Sequence, residues 1–496
     1  MSARRVQPMS PARWLGALAF LLLIALLFWR ESGKQEAAAD RAALDSAPIS
    51  GPQIPGLDPA DLPPLSSLQV LLDDQPLPSR ELDLQNWQTD QGGLVYFMPA
   101  PELPMFDLRL VFAAGASRDG EQPGIASLTN SLIGEGSGEL DAGAIAVAFE
   151  ELGAQFSNSA HRDMATASLR SLSDPAQRQP ALELFTRVVA EPSFPEDAFE
   201  RLRERTLAGL RMRQQRPSAL ASEAFWASLY PQHPYGSLPE GNETSLAGLS
   251  PAALADFHQQ FYNASNLTIA LVGDLTRAEA EAIAQQLADA LPQGSAADEL
   301  PAPPTVSGGH EHIAFDSQQT HILVGQHGIT RHDPDYAALY VANQILGGSG
   351  FGSRLMEQIR EQRGLSYSVS SQFIPMASNG PFMISMQTRS DQTAEALEVI
   401  NDTLDSFIAE GPTEDELART KRQLLGQFVL GTASNSAIVG QLAANGFYGL
   451  PPDQFQQLIS DIESLTLEDI RRVLQQRLPA DQRLIITLGQ TPEDEA

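Results

Sequence analysis

The sequence contains no cysteine. That excludes disulfides, a thiolate nucleophile and Cys-ligated zinc or iron–sulfur centres. It leaves the compartment open, because an oxidising space permits disulfides without requiring them. Positive charge is also scarce: 32 basic residues stand against 62 acidic ones, a formal net charge of −30, and the only lysines are Lys34 and Lys421. A phosphate backbone needs a basic footprint, so nucleic acid is not an expected partner. The acidity reads as a solvated surface that would also tolerate basic peptides. What is present is ample apolar material: 42% of the 496 residues are hydrophobic, enough to bury the cores of more than one domain.

One apolar run stands apart, residues 14–29, "WLGALAFLLLIALLFW". It is slightly short of the ~20 residues that cross a bilayer, but Trp14, Trp29 and the flanking Arg13 and Arg30 suit the interfaces. Arg4, Arg5 and Arg13 precede it, which keeps the N-terminus cytoplasmic and exports the remainder. A cleaved signal peptide is the alternative, but its site would have to be Ala37-Ala38-Ala39, beyond the charged "RESGKQE". The expectation is an uncleaved single-pass anchor over residues 1–30, placing the protein at a bacterial inner membrane with its bulk in the periplasm. Residues 31–80, rich in Ala, Pro, Asp and Ser, read as a flexible tether.

From about residue 81 the pattern becomes regular. Strand-like alternation occurs at 92–100 and 106–119, then an apolar-periodic helix at 124–138, "GIASLTNSLIGEGSG". A helix and a strand pair follow within 142–172, two helices at 180–194 and 195–217, and a buried strand at 267–275. A Pro/Ala/Gly-rich linker at 296–309 separates this from a second run in the same order. It comprises a strand at 320–328, a helix at 334–348, paired strands at 365–373 and 380–389, helices at 393–411 and 413–431, and a closing strand at 483–489. Two units with one element order imply a tandem repeat, with domains at 81–295 and 310–492. Adjacent strand pairs among the helices make the class α+β, each domain a mostly antiparallel sheet flanked by helices.

Motifs in both halves resemble one family. "AGASRD" with "GIAS", "HPYG" (233–236) and "FYNASNLTIALVGD" (261–274) occur in the first half; "ILGGSGFGSRLMEQIREQRGLSYSV" (345–369) in the second is the most specific. Over about 85–490 the chain resembles the zinc peptidases of the M16 family, the group of pitrilysin, insulin-degrading enzyme and the mitochondrial processing peptidase. Active members carry His-x-x-Glu-His on the first-half helix: two His one turn apart grip zinc and the Glu activates its water. A further Glu lies on a later helix. The resemblance puts those positions at Ser127, Asn130, Ser131 and near Gly209. All are replaced, so the expectation is a degenerate site, no cofactor in this chain, and zinc in a partner subunit.

The same resemblance assigns Arg360 and Tyr367, seven residues apart, to the pair that reaches the substrate from the second half, where both could donate to a developing oxyanion. Each alone would read as an ordinary helix or strand residue. Gly347, Gly348 and Gly350 are candidates for close approach of a peptide backbone, with a helix C-cap and turn as the plain alternative. Arg363 lies one turn from Arg360, but the spacing to Tyr367 favours Arg360. His310 and His312 share a strand face without an acidic partner and read as surface residues; His161 reads as exposed or satisfied, and His233 as structural. Ser127 and Ser131 have no base on their helix to make them nucleophiles. The expected function is the substrate-positioning, non-zinc subunit of a heterodimeric peptidase whose other subunit carries His-x-x-Glu-His. A non-enzymatic scaffold or a peptide-binding protein is the alternative.

Overall fold

The computed structural model of the protein describes residues 83–348 and 350–491. The expected anchor and tether lie outside the described residues. Among those that are described, no helix is long and apolar enough to cross a membrane.

Two sheets organise the chain. The first has the order β1-β2-β8-β3-β7-β6, built from β1 (Gln85–Gln88), β2 (Leu94–Pro99), β3 (Met105–Phe112), β6 (Gln155–Ala160), β7 (Ala165–Leu172) and β8 (Leu267–Gly273); β4 (Gly136–Ser137) and β5 (Leu140–Asp141) form a separate ribbon. The second has the order β11-β12-β10-β13-β9, from β9 (Gly309–Ala314), β10 (Gln319–His327), β11 (Val369–Phe373), β12 (Pro381–Arg389) and β13 (Leu484–Gly489). Each is antiparallel except for one parallel pair, β2 with β8 and β13 with β9. The repeat expected from the element order is thus present, in an α+β fold.

Strand alternation divides the faces. In β3, Phe106, Leu108, Leu110 and Phe112 enter the main core of the first half, while Val111 faces the other way. The inner face packs against helices Ile125–Leu132, Pro175–Ala190 and Pro251–Phe261, whose apolar stripes fill that core. In the second half, Ile322, Val324, Phe382 and Ile384 form the equivalent core with Leu404 and Phe407.

The outer faces are covered by exchange. Helix Pro217–Leu229, from the first half, lays Ala221, Phe225 and Leu229 on Leu323, Leu484, Ile486 and Leu488 of the second sheet. Helix Asn435–Phe447, from the second half, lays Ile438, Val439, Leu442 and Ala443 on Tyr96, Met98, Ala270 and Val272 of the first. Close approach is secured by glycine in both places. A Cβ at Gly446 would lie 2.5 Å from the Tyr96 ring, and one at Gly325 would lie 2.8 Å from Phe225 and 2.2 Å from the Phe382 carbonyl. Each half therefore completes the core of the other, and the order of elements along the chain does not reveal this.

A buried carboxylate ties the halves together. Asp163 accepts hydrogen bonds from the Tyr235 hydroxyl at 2.5 Å, from the Ala377 N–H at 2.9 Å and from the Tyr448 hydroxyl at 3.2 Å. The Tyr235 hydroxyl in turn accepts from the Ser378 N–H at 3.0 Å.

Candidate functional site

Helix Ile125–Leu132 begins after Gly124, which has φ +96°, and the carboxylate of Asp119 accepts from the Gly124 and Ala126 N–H groups at 2.7 and 3.0 Å. Asp119 thus satisfies the donors left free at the helix start. It is almost fully buried, and burial pushes its carboxyl up to about 7, against the two N–H donors that act to lower it. The regular helix is shorter than the apolar period suggests: after Leu132 the chain tightens into a 3₁₀ turn, Ile133–Glu135.

The three positions of the zinc motif lie on this helix in different environments. Ser127 is half-buried, Asn130 is buried and Ser131 is exposed. Asn130 is fully engaged. Its Nδ2 donates to the Thr166 carbonyl and to the Tyr262 hydroxyl, both at 3.2 Å, and its Oδ1 accepts from Asn158 Nδ2 at 3.3 Å. Tyr262 is itself fully buried and stacks on His258, with centroids 4.8 Å apart. Where the motif would place a carboxylate, the amide is a strut joining the helix to strand β7 and to Tyr262.

Gly209 lies on helix Glu196–Arg213, which packs on the first helix; it is exposed, and a Cβ there would meet nothing within 4 Å. Space is available at that position, but no ligand atom. Two hydroxyls, a committed amide and a glycine do not fit a zinc ion, which takes imidazole, thiolate or carboxylate donors. Among the described residues no group of three His, Asp or Glu gathers elsewhere in a way that could hold a metal.

The structure brings Arg360 and Tyr367 together. Arg360 lies in the π-helical turn Glu357–Glu361, and Gly364, with φ +63°, reverses the chain after it. Leu365 is then buried, its N–H donating to the Ile359 carbonyl at 2.9 Å and its carbonyl accepting from Thr388 Oγ1 at 2.7 Å. Those anchors leave Tyr367 79% exposed. Arg360 Nη1 donates to the Tyr367 carbonyl at 3.1 Å, and its Cζ lies 4.3 Å from the Tyr367 ring centroid.

The sequence reading missed a third member of this cluster. Phe351, 70% exposed, places its ring 4.7 Å from the Arg360 Cζ, so the guanidinium touches two aromatic faces. Its signal was a lone aromatic within the small-residue run "GSGFGS". Arg354 steadies the start of the same segment. It pairs with Glu416 at 2.7 Å and donates to the Gly411 carbonyl at 3.1 Å. Burial acts to raise the Glu416 pKa, but Arg354 and Thr413 outweigh it and hold the carboxyl at about 2.

The three candidate glycines differ. Gly347 is buried against Ser371, whose Oγ would sit 2.6 Å from an added Cβ. Gly348 is exposed, and Gly350 is half-buried with φ +68°. Arg363 turns back to its own segment, donating to the Gln358 carbonyl at 3.0 Å and side chain at 2.8 Å, and does not join the Arg360 cluster. Of the candidate histidines, His161 is exposed and lies 3.3 Å from Ser159 Oγ, and the others are engaged within the fold. His233 Nδ1 accepts from the Tyr235 N–H at 3.1 Å, so Nε2 carries the proton it donates to the Pro301 carbonyl at 2.9 Å. His310 and His312 are less free than surface residues, since both reach Thr487 Oγ1, at 2.8 and 3.0 Å.

Residues 101–239 match the family described as "Insulinase (Peptidase family M16)", and residues 248–424 match "Peptidase M16 inactive domain". A solved structure titled "peptidase M16 inactive domain" from Pseudomonas fluorescens is similar at TM-score 0.81 and 46% identity, covering 83% of this chain and 99% of that one. A "Non-peptidase homolog YmxG" of Helicobacter pylori is 29% identical over 74% of this chain and 85% of its own length. An "Uncharacterized zinc protease" of Rickettsia felis is 26% identical over 75% of this chain and 89% of its own.

Proposed function

The chain belongs to the M16 peptidase family, and from that premise we propose that it is the substrate-positioning subunit, itself without zinc, of a two-chain peptidase. The observation that carries this reading is the contrast between its two sites. The helix positions that would hold metal have been turned to packing through Asn130, whereas Arg360 and Tyr367 remain together at the surface. Two relatives, described as an inactive domain and a non-peptidase homologue, support the absence of a zinc centre of its own.

In this account a homologous subunit would hold zinc through His-x-x-Glu-His, and the metal would supply the activation of water. This chain contributes the other side of the site. The Tyr367 hydroxyl, which has no hydrogen-bond partner among the described residues, donates to the oxygen that gains charge as the peptide bond is attacked. The Arg360 guanidinium, held by two rings, grips the peptide carbonyls, and Gly348 and Gly350 let the backbone come close. Residues 14–29 would tether the pair to the inner membrane, with the peptide substrates on the periplasmic side.

The test is hydrolysis of a quenched fluorescent peptide by the reconstituted pair. Tyr367→Phe and Arg360→Ala should each lower kcat by about 100-fold, the scale of losing one donor to an oxyanion, with complex formation unchanged. Full activity of both variants would instead assign the chain a purely architectural part.

A further inference from the structure

Between the halves lies a cleft of about 540 Å³ that takes no part in the arrangement above. Arg109 enters it from strand β3 of the first half; Arg331, Tyr336 and Tyr340 line it from the second, with the rings of Phe428 and Phe455. None of its lining residues is Asp or Glu, although the chain carries 62 of them.

Its two guanidinium groups donate to neutral hydroxyls. Arg109 Nε donates to Ser168 Oγ at 3.1 Å, and Arg331 Nη1 donates to the Tyr336 hydroxyl at 3.0 Å. Among the described residues neither forms an ion pair. Arg109 is half-buried, and burial lowers its pKa, with Asp107 acting in the opposite sense. Room for it comes from Gly440 on the exchanged helix: a Cβ there would lie 3.2 Å from Arg109 Nη1. The nearby Asp107 carboxylate is itself paired with Arg170, and a partly desolvated cation outside an ion pair is stabilised when an anion completes it.

A second, independent feature adjoins the cleft. A cavity of about 270 Å³ shares the wall of Arg331, Tyr336 and Tyr340 and is also lined by Asn343 and Ser371. Asn343 Oδ1 and Ser371 Oγ are buried without hydrogen-bond partners among the described residues, in residues only 8% and 1% exposed. Unsatisfied buried acceptors are rare and call for a donor.

We propose that this composite cleft binds the C-terminal end of a short apolar peptide. The carboxylate would meet Arg109 and Arg331, the terminal side chain would lie on the aromatic rings, and a backbone N–H would serve the acceptors near Asn343. A simple organic acid would satisfy the cations but leave those acceptors unmet. The site draws on both halves, so an occupant bridges them. Neither Arg360 nor Tyr367 lines it, although the smaller cavity is bounded by Gly348.

The experiment is calorimetric titration of the full chain at fixed ionic strength with N-acetyl-Leu-Phe, its C-terminal amide and phenyl phosphate. The free acid should bind saturably and at least about 10-fold more tightly than the amide, the scale of a charge-assisted pair. Arg331→Gln and Arg109→Gln should each weaken the acid about 10-fold and leave the amide unchanged. If Arg109→Gln lowers the melting midpoint, Arg331→Gln and the acid–amide comparison on the unaltered chain decide. Equal affinity for acid and amide, no saturable heat with the acid, or an unaffected Arg331→Gln overturns the proposal. Tighter binding of phenyl phosphate also overturns it, by assigning the cations to a phosphate ester.

Discussion

At the scale of single residues, the first-half helix has kept its shape by replacing chemistry with packing. Asn130 donates twice and accepts once inside the core. Around it sit two buried titratable groups that act in opposite senses. Burial raises the Asp119 carboxyl to about 7, while an unfolded aspartate titrates near ~3.9. The folded chain holds a proton that the unfolded chain releases, so this group's contribution to stability is full below about pH 4 and is lost as pH rises through about 7. Burial lowers His258 to about 4, partly offset by its Nε2–H donated to the Val189 carbonyl at 2.9 Å. Unfolded histidine titrates near ~6.5, so that contribution is full above this value and fades as pH falls toward 4.

Two predictions follow at this scale. Relative to the unaltered chain, Asp119→Asn should gain about 4 kcal/mol of stability between pH 4 and pH 8, and His258→Gln about 3 kcal/mol between pH 7 and pH 4. Denaturant titrations across that range read both, and curves parallel to those of the unaltered chain would contradict the assignments. Gly209, on a separate helix, was placed only by resemblance to the family, whereas the shared register of Ser127, Asn130 and Ser131 on one helix was legible in the sequence. Asp119 and Phe351 were not, because a capping carboxylate and an exposed ring gain their roles only from what the fold brings beside them.

Among the elements, the exchanged helices matter most. The repeat of strands and helices was legible because both halves keep the same alternation; β10 and β12 fall within a residue of their expected places, whereas β3 starts where expected but ends at Phe112, seven residues early. Helices Pro217–Leu229 and Asn435–Phe447 were left unassigned. Sequences such as "PSALASEAFWASL" mix small and large apolar residues on every side, which signals burial without saying against which sheet. Their partners lie far away in sequence, and no local pattern records them. Leu442 is 4% exposed between the exchanged helix and the first sheet. Leu442→Ala should therefore cost about 2–5 kcal/mol, the range for truncating a core leucine. The loss should be felt in both halves, with near-ultraviolet circular dichroism and amide exchange weakening together. Protection lost only in the second half would contradict the exchange as the source of the coupling.

For the whole molecule, the two halves should melt as one. Each covers the other's outer sheet face, and Asp163 joins Tyr235 to Ala377 and Tyr448 across the junction. Calorimetry of the body should show a single transition, and two separated ones would contradict the mutual dependence.

The most direct measurement is zinc analysis and peptide hydrolysis on the isolated chain, on its co-purified homologous partner and on the pair. The account predicts no stoichiometric zinc and no hydrolysis for this chain alone. The pair should hold one zinc, retained by the partner, and show hydrolysis that Arg360→Ala in this chain removes. Stoichiometric zinc on the isolated chain, with hydrolysis that a chelator abolishes, would contradict it.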